Sequence, residues 1–289
     1  MTTILSKYTR VPRIRRGVLR VAGSVRGGFY EAGRVVVFVV LVLCQLPIAL
    51  RQYSRQALAA SSSLAWGRGR LIADGGVVSV LAILGVAIGA GVAIEGYAGL
   101  DIVGFGPLTG VLGGLAIVRE LAPTVAGIGF AAQAGCRMTA EIGSMRVSEE
   151  IDATEALGIR TIPFVVGTKL VGAMVCVVPA YLLSLVLGFV SARSIVTLVH
   201  GLPTGTYDHY FTQFLSLDDI GYSTLKVAVF CAVVTLTHCY FGFFASGGPE
   251  GVGIASGRAI RASIVLIVTI DLALTVLIWS LVPSIEFVG

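Results

Sequence analysis

Charged side chains are scarce in this sequence. Asp, Glu, Lys and Arg make up 13% of its 289 residues, whereas a soluble domain carries about 25%. Hydrophobic residues reach 56%, and the mean hydropathy is +0.92. A chain of this composition cannot cover a water-facing surface in the usual way, which excludes an ordinary soluble enzyme and a disordered chain. The composition therefore indicates an integral membrane protein.

The sequence also lacks the short motifs of hydrolytic and metal chemistry. It contains no GxxxxGKS/T phosphate loop, no GxSxG and no HExxH. None of the five cysteines forms a CxxC motif, and the three histidines show no metal-ligand spacing. We therefore predict no catalytic residues, no cofactor and no metal site, and we expect ATP hydrolysis, where it is needed, to reside in a partner chain.

Long apolar runs are what the sequence does have. A membrane-spanning helix needs about 20 mainly apolar residues. Four clear candidates are residues 77–94, 170–192, 227–245 and 262–285. The fold class that they predict is an all-α integral membrane protein.

The region 102–136 is apolar apart from the adjacent pair Arg119 and Glu120. As one helix it would be about 50 Å long, which exceeds the hydrocarbon core of about 30 Å. We interpret it as one long helix that begins near Pro107, crosses the membrane and projects beyond it. The alternative is two spans with a break at Pro123.

Residues 35–50 are also apolar, but this run is only 16 residues long. Arg34 and Arg51 bracket it and Pro47 interrupts it, which favours a helix lying in the cytoplasmic interface over a membrane span. We therefore predict two regions. Residues 1–75 form a basic N-terminal region with this interfacial helix, and residues 76–289 form a five-helix domain.

The basic residues are unevenly distributed. Residues 1–70 hold 12 of the 21 Lys and Arg residues and a single acid, Glu31. Such a bias is more typical of a cytoplasmic, lipid-facing segment than of a nucleic-acid site, and no signal peptide is expected at this terminus. The connection 193–226, which includes Lys226, is expected on the side of the membrane opposite to this N-terminal segment. The pattern predicts a cytoplasmic N-terminus, five spans and an external C-terminus.

Ionisable residues next to apolar helices need a partner or a role. Arg119 and Glu120 are neighbours and so point about 100° apart, whereas Arg137 and Glu141 have the spacing of a pair on one helix face. These four residues are either structural ion pairs at a cytoplasmic helix end or a latch that holds a moving helix.

A short helix is predicted over residues 148–158. Ser148 is a suitable N-cap, acids follow in the first turn, and Gly158 is a suitable C-terminal stop. This helix is either a solvated loop helix or a knob that docks into a cytoplasmic partner. Its acidic residues are Glu149, Glu150, Asp152 and Glu155.

Asp271 lies in the middle of the last predicted span, between Ile270 and Leu272. It is either a proton-relay carboxylate or a buried acceptor satisfied by a neighbouring hydroxyl, such as Thr269 or Thr275. We favour the structural interpretation.

The stretch RELAP…AEIGSMRVSEEIDATEALGI, within residues 119–159, resembles the signature of the MlaE/YrbE permeases. These are membrane subunits of ABC transporters that work with MCE-domain lipid-binding proteins. The resemblance continues through GIASGRAIRASIVLIVTIDLALTVLIW at 253–279 and covers about residues 75 to 280. Within the family the chain looks most like the actinobacterial YrbE branch, and like the B-type partner of an A/B pair.

The resemblance implies an interfacial elbow helix followed by five membrane helices in the bacterial plasma membrane. It places Glu149, Glu150, Asp152 and Glu155 on a coupling helix that enters a groove of a cytoplasmic ATPase. It implies a heterodimer with a homologous permease, two ATPase subunits and a ring of MCE proteins on the outer face. The substrates would be membrane lipids, with fatty acids, as in some mycobacterial systems, favoured over sterols.

One departure from the family pattern is visible. Gln133 stands where the family usually has Arg in an AGRxGS-like run, and Arg137 follows one helical turn later. Either the charge keeps the same face, or this subunit has lost a contact that its partner retains. Two rival functions stay open on the residues alone: a proton-coupled secondary transporter using Glu95, Glu120 and Asp271, and a membrane scaffold without a transport path.

Overall fold

The computed structural model describes residues 13–67 and 75–281, with side chains described over 33–67 and 75–279. Every regular element in these residues is a helix, which confirms the all-α prediction. The last predicted span, 262–285, extends at 282–285 outside the described residues. By its contacts the chain divides into two compact units, residues 1–44 and 45–289.

We number nine helices in the described part of the chain. They are α1 (Arg13–Gln52), α2 (Ser54–Trp66), α3 (Val77–Asp101), α4 (Gly106–Val147), α5 (Glu150–Ala156), α6 (Ile162–Leu198), α7 (Thr204–Phe214), α8 (Leu217–Phe243) and α9 (Gly248–Leu281).

Six helical segments of the described chain are long and apolar enough to cross a membrane, one more than the five expected spans. The additional one is Gly33–Gln52 in α1, with 20 residues and a mean hydropathy of 2.3. The helix extends beyond the apolar run 35–50, since it continues through Pro47 to Gln52, so its length is sufficient for a span as well as for an interfacial helix. Its interfacial position stays a prediction that rests on the arginines at either side.

The long central helix α4 is continuous over 42 residues, so the prediction of one helix is confirmed and a break at Pro123 is not. Pro107 lies in its first turn, as predicted. Two π turns interrupt the α-helical pattern, at Ile117–Leu121 and Ala131–Gly135. At roughly 60 Å, α4 extends well beyond the hydrocarbon core of a bilayer.

Each end of the helix bundle has a short helix of its own, α7 at one end and α5 at the other. Helix α7 packs against the first turns of α4, where a Cβ on Gly110 would come within 2.6 Å of the Tyr207 carbonyl oxygen. Helix α5 follows the last residue of α4 after a turn of two residues, Ser148 and Glu149. We call these the α7 end and the α5 end; α4 and α8 run from the α7 end to the α5 end, and α9 returns.

Helices α3 and α6 make the closest packing in the bundle. A Cβ on Gly85 would lie 2.2 Å from the Ser184 carbonyl oxygen, and one on Gly89 would lie 2.0 Å from that of Gly188. The Ser184 hydroxyl donates to the Leu81 carbonyl at 2.6 Å. Gly85 and Gly89 make this packing possible, since only glycine lets two backbones approach this closely.

Candidate functional site

Lys226 is the centre of the most unusual side-chain cluster in the described residues. It is fully buried, at 0% exposure. Its ammonium lies 2.6 Å from Asp271 Oδ1, 2.8 Å from the Thr275 hydroxyl and 2.9 Å from the Arg119 carbonyl oxygen. The first contact is an ion pair, and the other two are hydrogen bonds that the ammonium donates. The expectation that Lys226 belongs to an external connection was wrong.

The start of α8 explains that error. Ser216 accepts a hydrogen bond from the Asp219 backbone N–H at 3.0 Å and so caps the helix, which begins at Leu217. Lys226 therefore lies almost three turns inside α8 rather than in a loop before it. The first turns of this helix hold charged residues because they face other helices and not because they are outside the bundle.

Pro123 leaves the backbone carbonyl of Arg119 available as an acceptor for Lys226. Proline has no N–H, so it cannot donate to the carbonyl of Arg119, four residues earlier. In the first π turn, the Ala122 N–H instead reaches back five residues to the Ile117 carbonyl. The Arg119 carbonyl left over by this pattern accepts the Lys226 ammonium at 2.9 Å. The proline therefore does not break α4, because a residue from another helix satisfies the freed acceptor.

Asp271 is an ion-paired acceptor. Besides Lys226 it has the Thr124 hydroxyl, which donates to its Oδ2 at 2.9 Å. This donor is on α4 and is neither of the two threonines expected on α9. Thr269 donates to the Val265 carbonyl at 2.8 Å, one turn back along its own helix. A donor on another helix cannot be read from the neighbours of Asp271 in the sequence.

Arg119 and Glu120 point to different partners, as their separation around the helix predicts. Arg119 pairs with Asp219 at 3.0 Å, and the Trp279 indole N–H donates to the other oxygen of Asp219, also at 3.0 Å. Glu120 lies 3.6 Å from Lys226 and accepts the Thr275 hydroxyl at 2.7 Å.

We call Arg119, Glu120, Asp219, Lys226 and Asp271 the charged cluster. Its members come from α4, α8 and α9, and with every group ionised its net charge would be −1, from two bases and three acids. Arg119 and Glu120 lie in the half of α4 nearer the α7 end, so the four predicted latch residues do not share one end of the helix. The cause is the length of α4, which continues to Val147.

The sequence held a signal for the missed residues. Asp219, Ser223 and Lys226 are spaced four and three residues apart, which places them on one face of α8. All three are buried. A polar stripe at helical spacing that leads into an apolar run indicates a buried inter-helix contact. Glu95, the third acid of the proton-relay hypothesis, is exposed on α3 and takes no part in the ion pairs of the cluster.

The other two predicted latch residues form a separate group near the α5 end. Arg137 contacts Glu141 at 3.0 Å, so the predicted pair on one helix face is present. Lys169 of α6, which was not expected here, pairs with the second oxygen of Glu141. Arg137 also donates to the Ser63 carbonyl at 3.0 Å, in the last turn of α2, where a cation is favoured by the helix dipole. We call Arg137, Glu141 and Lys169 the α5-end ion pairs.

Gln133 lies one turn before Arg137 and makes a similar contact. Its side-chain amide donates to the Gly75 carbonyl at 2.5 Å, just before α3. Gln133 and Arg137 therefore both donate from α4 to backbone carbonyls at the two sides of the connection between α2 and α3. The amide at position 133 has a partner within this chain, and the nearby positive charge is at Arg137.

Helix α5 is shorter than predicted and starts differently. It spans Glu150–Ala156, and Ser148 is not its N-cap. The Ser148 hydroxyl bonds back to the Ser144 carbonyl at 3.0 Å, so Ser148 ends α4, and Glu149 makes the turn with a left-handed φ of 59°. Gly158 stops α5 as predicted, with φ of 78°, because the N–H groups of Gly158 and Ile159 bond the last carbonyls of the helix.

The acids of α5 are not equivalent. Asp152 pairs with Arg146 at 2.6 Å, and Glu155 accepts the Thr161 hydroxyl at 2.6 Å. Glu149 and Glu150 are exposed, and no side-chain contact within the described residues engages them. Ile151 anchors the helix at 1% exposure, whereas Leu157 is 79% exposed. Glu149, Glu150 and Leu157 are therefore the large exposed side chains of this segment that no other side chain of the described residues pairs with.

A bundle of long apolar helices with a buried, charged inter-helix cluster defines a multi-pass integral membrane protein. Comparison with known proteins gives the family. The model of the family described as Permease MlaE matches residues 72–277, which is well over half of the chain. The chain therefore belongs to the MlaE family of ABC transporter permeases, and it is a non-catalytic membrane component.

The individual relatives of the chain share about a quarter of its residues over the matched part. A probable ABC transporter permease protein of Rickettsia bellii is 28% identical over 187 residues, covering 65% of this chain and 72% of the relative. The intermembrane phospholipid transport system permease protein MlaE of Haemophilus influenzae is 25% identical over 207 residues, covering 71% and 79%. The chloroplastic protein TRIGALACTOSYLDIACYLGLYCEROL 1 of Arabidopsis thaliana is 28% identical over 161 residues, covering 56% of this chain and 46% of the relative.

Proposed function

We propose that this chain is the permease subunit of an MCE-type ABC transporter that moves acyl lipids across the cell envelope. The observation that carries the proposal is the charged cluster, which lies inside a bundle of apolar helices in a chain of the MlaE family. Charged groups at membrane depth are costly and mark transport pathways. A lipid has an apolar part suited to the helix surfaces and a polar head suited to such a cluster.

Fatty acids are our preferred substrate over sterols, as the resemblance to the actinobacterial YrbE branch and its B-type subunit implies. The Haemophilus relative is named for phospholipids, which share with fatty acids an anionic head and acyl chains. Arg119, 20% exposed at the edge of the cluster, is its more accessible cation, since Lys226 is fully buried.

Lipid mass spectrometry on the purified complex tests the substrate class. We expect fatty acids or phospholipids to co-purify, and radiolabelled fatty acid uptake to be competed by other acyl lipids and not by sterols. Enrichment of a sterol alone would contradict the proposal. Uptake that does not require the ATPase would instead favour a secondary transporter.

Helix α9 supports a second permease subunit as partner. Its membrane window is only 17% buried within this chain, against 39% for α8 and 50% for α6. Large apolar side chains stand exposed along it, including Val265 and Leu272, at 65% and 67%. Glu120, whose side chain is 43% exposed, is tied to this helix through Thr275. A homologous permease packed here would cover both the apolar face and the half-exposed acid.

The α5 end is the proposed ATPase surface, and the α7 end the proposed MCE surface. At the α5 end, the exposed acids Glu149 and Glu150 suit basic groups of an ATPase. At the α7 end, Ile102, Leu198 and Leu217 are each more than four-fifths exposed, which suits an apolar contact. This assignment requires the N-terminus inside and the C-terminus outside, in a bacterial plasma membrane.

Cysteine labelling tests this orientation. Gln213 on α7 and Ala156 on α5 are exposed, and neither side chain makes a contact described above. In intact cells, a membrane-impermeant maleimide should label Gln213→Cys, and should label Ala156→Cys only after the membrane is opened. Labelling of both from one side would overturn the arrangement.

A further inference from the structure

The two π turns of α4 each face a polar side chain of α8. At the first, Ile117–Leu121, Lys226 donates to the Arg119 carbonyl at 2.9 Å. At the second, Ala131–Gly135, the neighbour is His238, which is fully buried. The first turn belongs to the charged cluster. The second has no part in the proposed function described so far, although π turns within α-helices are frequent at functional sites.

His238 fits into a notch that the second π turn provides. A Cβ on Gly135 would lie 2.6 Å from both Cδ2 and Nε2 of the imidazole, so only glycine leaves room for the ring. The ring Nδ1 lies 2.8 Å from the Thr139 hydroxyl, one turn further along α4. Thr139 is also fully buried. The imidazole therefore contacts both the π turn and the regular helix that follows it.

The same ring holds an unused polar atom. Nε2 of His238 is buried and has no hydrogen-bond partner among the described residues. In the tautomer whose Nδ1 accepts a hydrogen bond from the Thr139 hydroxyl, Nε2 carries the ring proton and is a donor without an acceptor. Such a donor can bond a backbone carbonyl of α4 if the π turn rearranges, since a π turn and an α turn present their carbonyls differently.

A rearrangement of the second π turn would move the part of α4 that follows it. A π turn holds one more residue than an α turn, so its conversion would rotate the following helix by about 100° and shift it by about 1.5 Å. The part that follows, Cys136–Val147, leads directly into α5. The part that precedes, Ala122–Phe130, adjoins the first π turn and the charged cluster.

We propose that the second π turn of α4 is a movable joint between α5 and the charged cluster, and that His238 is the positioning residue that sets its register. The ring holds the π form through the Gly135 notch and the Thr139 hydroxyl. Movement of α5 by a bound ATPase changes the register of this turn and so reaches the charged cluster. The proposal rests on the proposed function for the role of the ATPase, but not for the existence of the joint.

The joint is tested on the purified chain without any partner. Cys136 follows the π turn directly and is partly exposed, whereas Cys176, Cys231 and Cys239 are buried. With Cys44 replaced by Ser, the rate of alkylation by N-ethylmaleimide reports on Cys136. We expect His238→Ala to change this rate severalfold, and His238→Gln to retain the wild-type rate because its amide can still bond Thr139.

Two further variants protect this test against a folding defect. Thr139→Val keeps the ring and removes its hydroxyl partner, so it should change the labelling rate in the same direction as His238→Ala. Thr235→Val, at another buried position of α8, is the matched control and should leave the rate unchanged. Unchanged labelling in both His238→Ala and Thr139→Val, or an equal change in the control, would overturn the joint.

The coupling role is tested in the assembled transporter. We expect His238→Ala to lower the lipid moved per ATP hydrolysed by about 10-fold, a typical size for coupling between sites, while hydrolysis continues. His238→Gln should restore the ratio. A parallel fall of transport and hydrolysis would show a merely structural role and overturn the proposal. If the wild-type complex shows no ATP-dependent transport, the proposed function fails, and the labelling result still decides whether the joint exists.

Discussion

The charged cluster and the α5-end ion pairs contain the same kinds of side chain at different depths. In the cluster, the side chains of Lys226 and Asp271 are 0% and 12% exposed. In the α5-end pairs, those of Arg137 and Glu141 are 30% and 42% exposed. A charge that is sheltered from water interacts more strongly with its partner and costs more when that partner is removed. The two groups should therefore respond very differently to the same change.

The difference also shows what sequence distance can and cannot indicate. Arg137 and Glu141 pair on their own helix, as a spacing of four residues predicts. Arg119 and Glu120 are neighbours, yet Arg119 contacts Asp219 of α8, and Glu120 accepts a hydrogen bond from the Thr275 hydroxyl of α9. A helix-local rule is sufficient for Arg137 and Glu141 but not for Lys169 of α6, and the charged cluster depends on how three helices pack.

The largest effect is expected for Lys226→Met. It leaves Asp271 buried without its cation and removes the donor to the Arg119 carbonyl, which should cost about 3–5 kcal/mol of folding free energy. The yield of folded protein and its thermal unfolding in detergent measure this loss. Lys169→Met is the matched control in the α5-end pairs and should cost about 1 kcal/mol or less, after discounting for the exposure of Glu141.

The double variant Lys226→Met with Asp271→Leu sharpens the same comparison. Replacing both members of a buried pair by apolar groups is often close to neutral, so stability should largely return while transport does not. If Lys226→Met and Lys169→Met destabilise the protein equally, depth does not distinguish the two groups.

A smaller structural effect but a clear functional one is expected for Glu120→Gln. The amide keeps the shape of the side chain and still accepts the Thr275 hydroxyl, so folding should be preserved. The loss of its charge should uncouple ATP hydrolysis from lipid uptake, which are measured together in liposomes. Glu120→Leu should also lower the yield, because Lys226 loses an anion 3.6 Å away, although the Thr275 hydroxyl can still donate to the Asp271 backbone carbonyl. Glu95→Gln, an exposed acid outside the cluster, is the control; wild-type coupling in Glu120→Gln would show that the charge is dispensable.

At the α5 end the expected effects are spread over several weak contacts. Each exposed ion pair with an ATPase is worth about 0–1 kcal/mol, so Glu149→Ala alone should do little. Glu149→Lys with Glu150→Lys should release the ATPase while the permease stays inserted, as measured by co-purification. Adding Asp152→Lys should contribute less, because Asp152 is already paired with Arg146. Glu250→Lys, an exposed acid in the first turn of α9, is the control, and an intact complex after the reversals would place docking elsewhere.

The smallest effect is expected at the Arg193–Asp208 pair near the α7 end. Arg193 donates to both oxygens of Asp208, at 2.7 and 2.8 Å, and these bonds hold the pKa of the carboxyl below its ordinary value of about 3.9. The stability that the pair contributes is therefore present above the ordinary pKa and is lost as the pH falls through the lowered one. Thermal unfolding of wild type and Asp208→Asn should differ slightly near neutral pH and converge in acid. A difference that persists in acid would contradict this assignment.

Much of the fold could be predicted from the apolar runs, because membrane helices must satisfy their own backbone and need a fixed length. The single long α4 and its start at Pro107 followed from this. Lys226 could not be placed in the same way. It lies directly before the apolar run 227–245, where a charge ordinarily marks the end of a span, and its partners lie on two other helices.

Residue preferences within the sequence were sufficient to predict the end of α5 but not its start. The stop of α5 at Gly158 was predicted, because glycine takes the positive φ that a helix end requires. Its start was not, because Ser148 can bond either forwards or backwards, and it bonds back to Ser144. Glu149 then takes a left-handed conformation that is uncommon outside glycine, and no residue preference would indicate it.

The glycine contact between α3 and α6 determines where this protein can tolerate change. A methyl group added at Gly85 or Gly89 would meet backbone atoms at 2.2 and 2.0 Å, and backbone cannot rotate out of the way as a side chain can. At Gly253 and Gly257 of α9, the same methyl group would meet nothing within 4 Å. The chain's own fold therefore does not tolerate a larger residue at Gly85 or Gly89. Gly253 and Gly257 should tolerate one unless another molecule packs against them, so a mutational scan of these two glycines in the assembled transporter reports whether a neighbour lies against that part of α9.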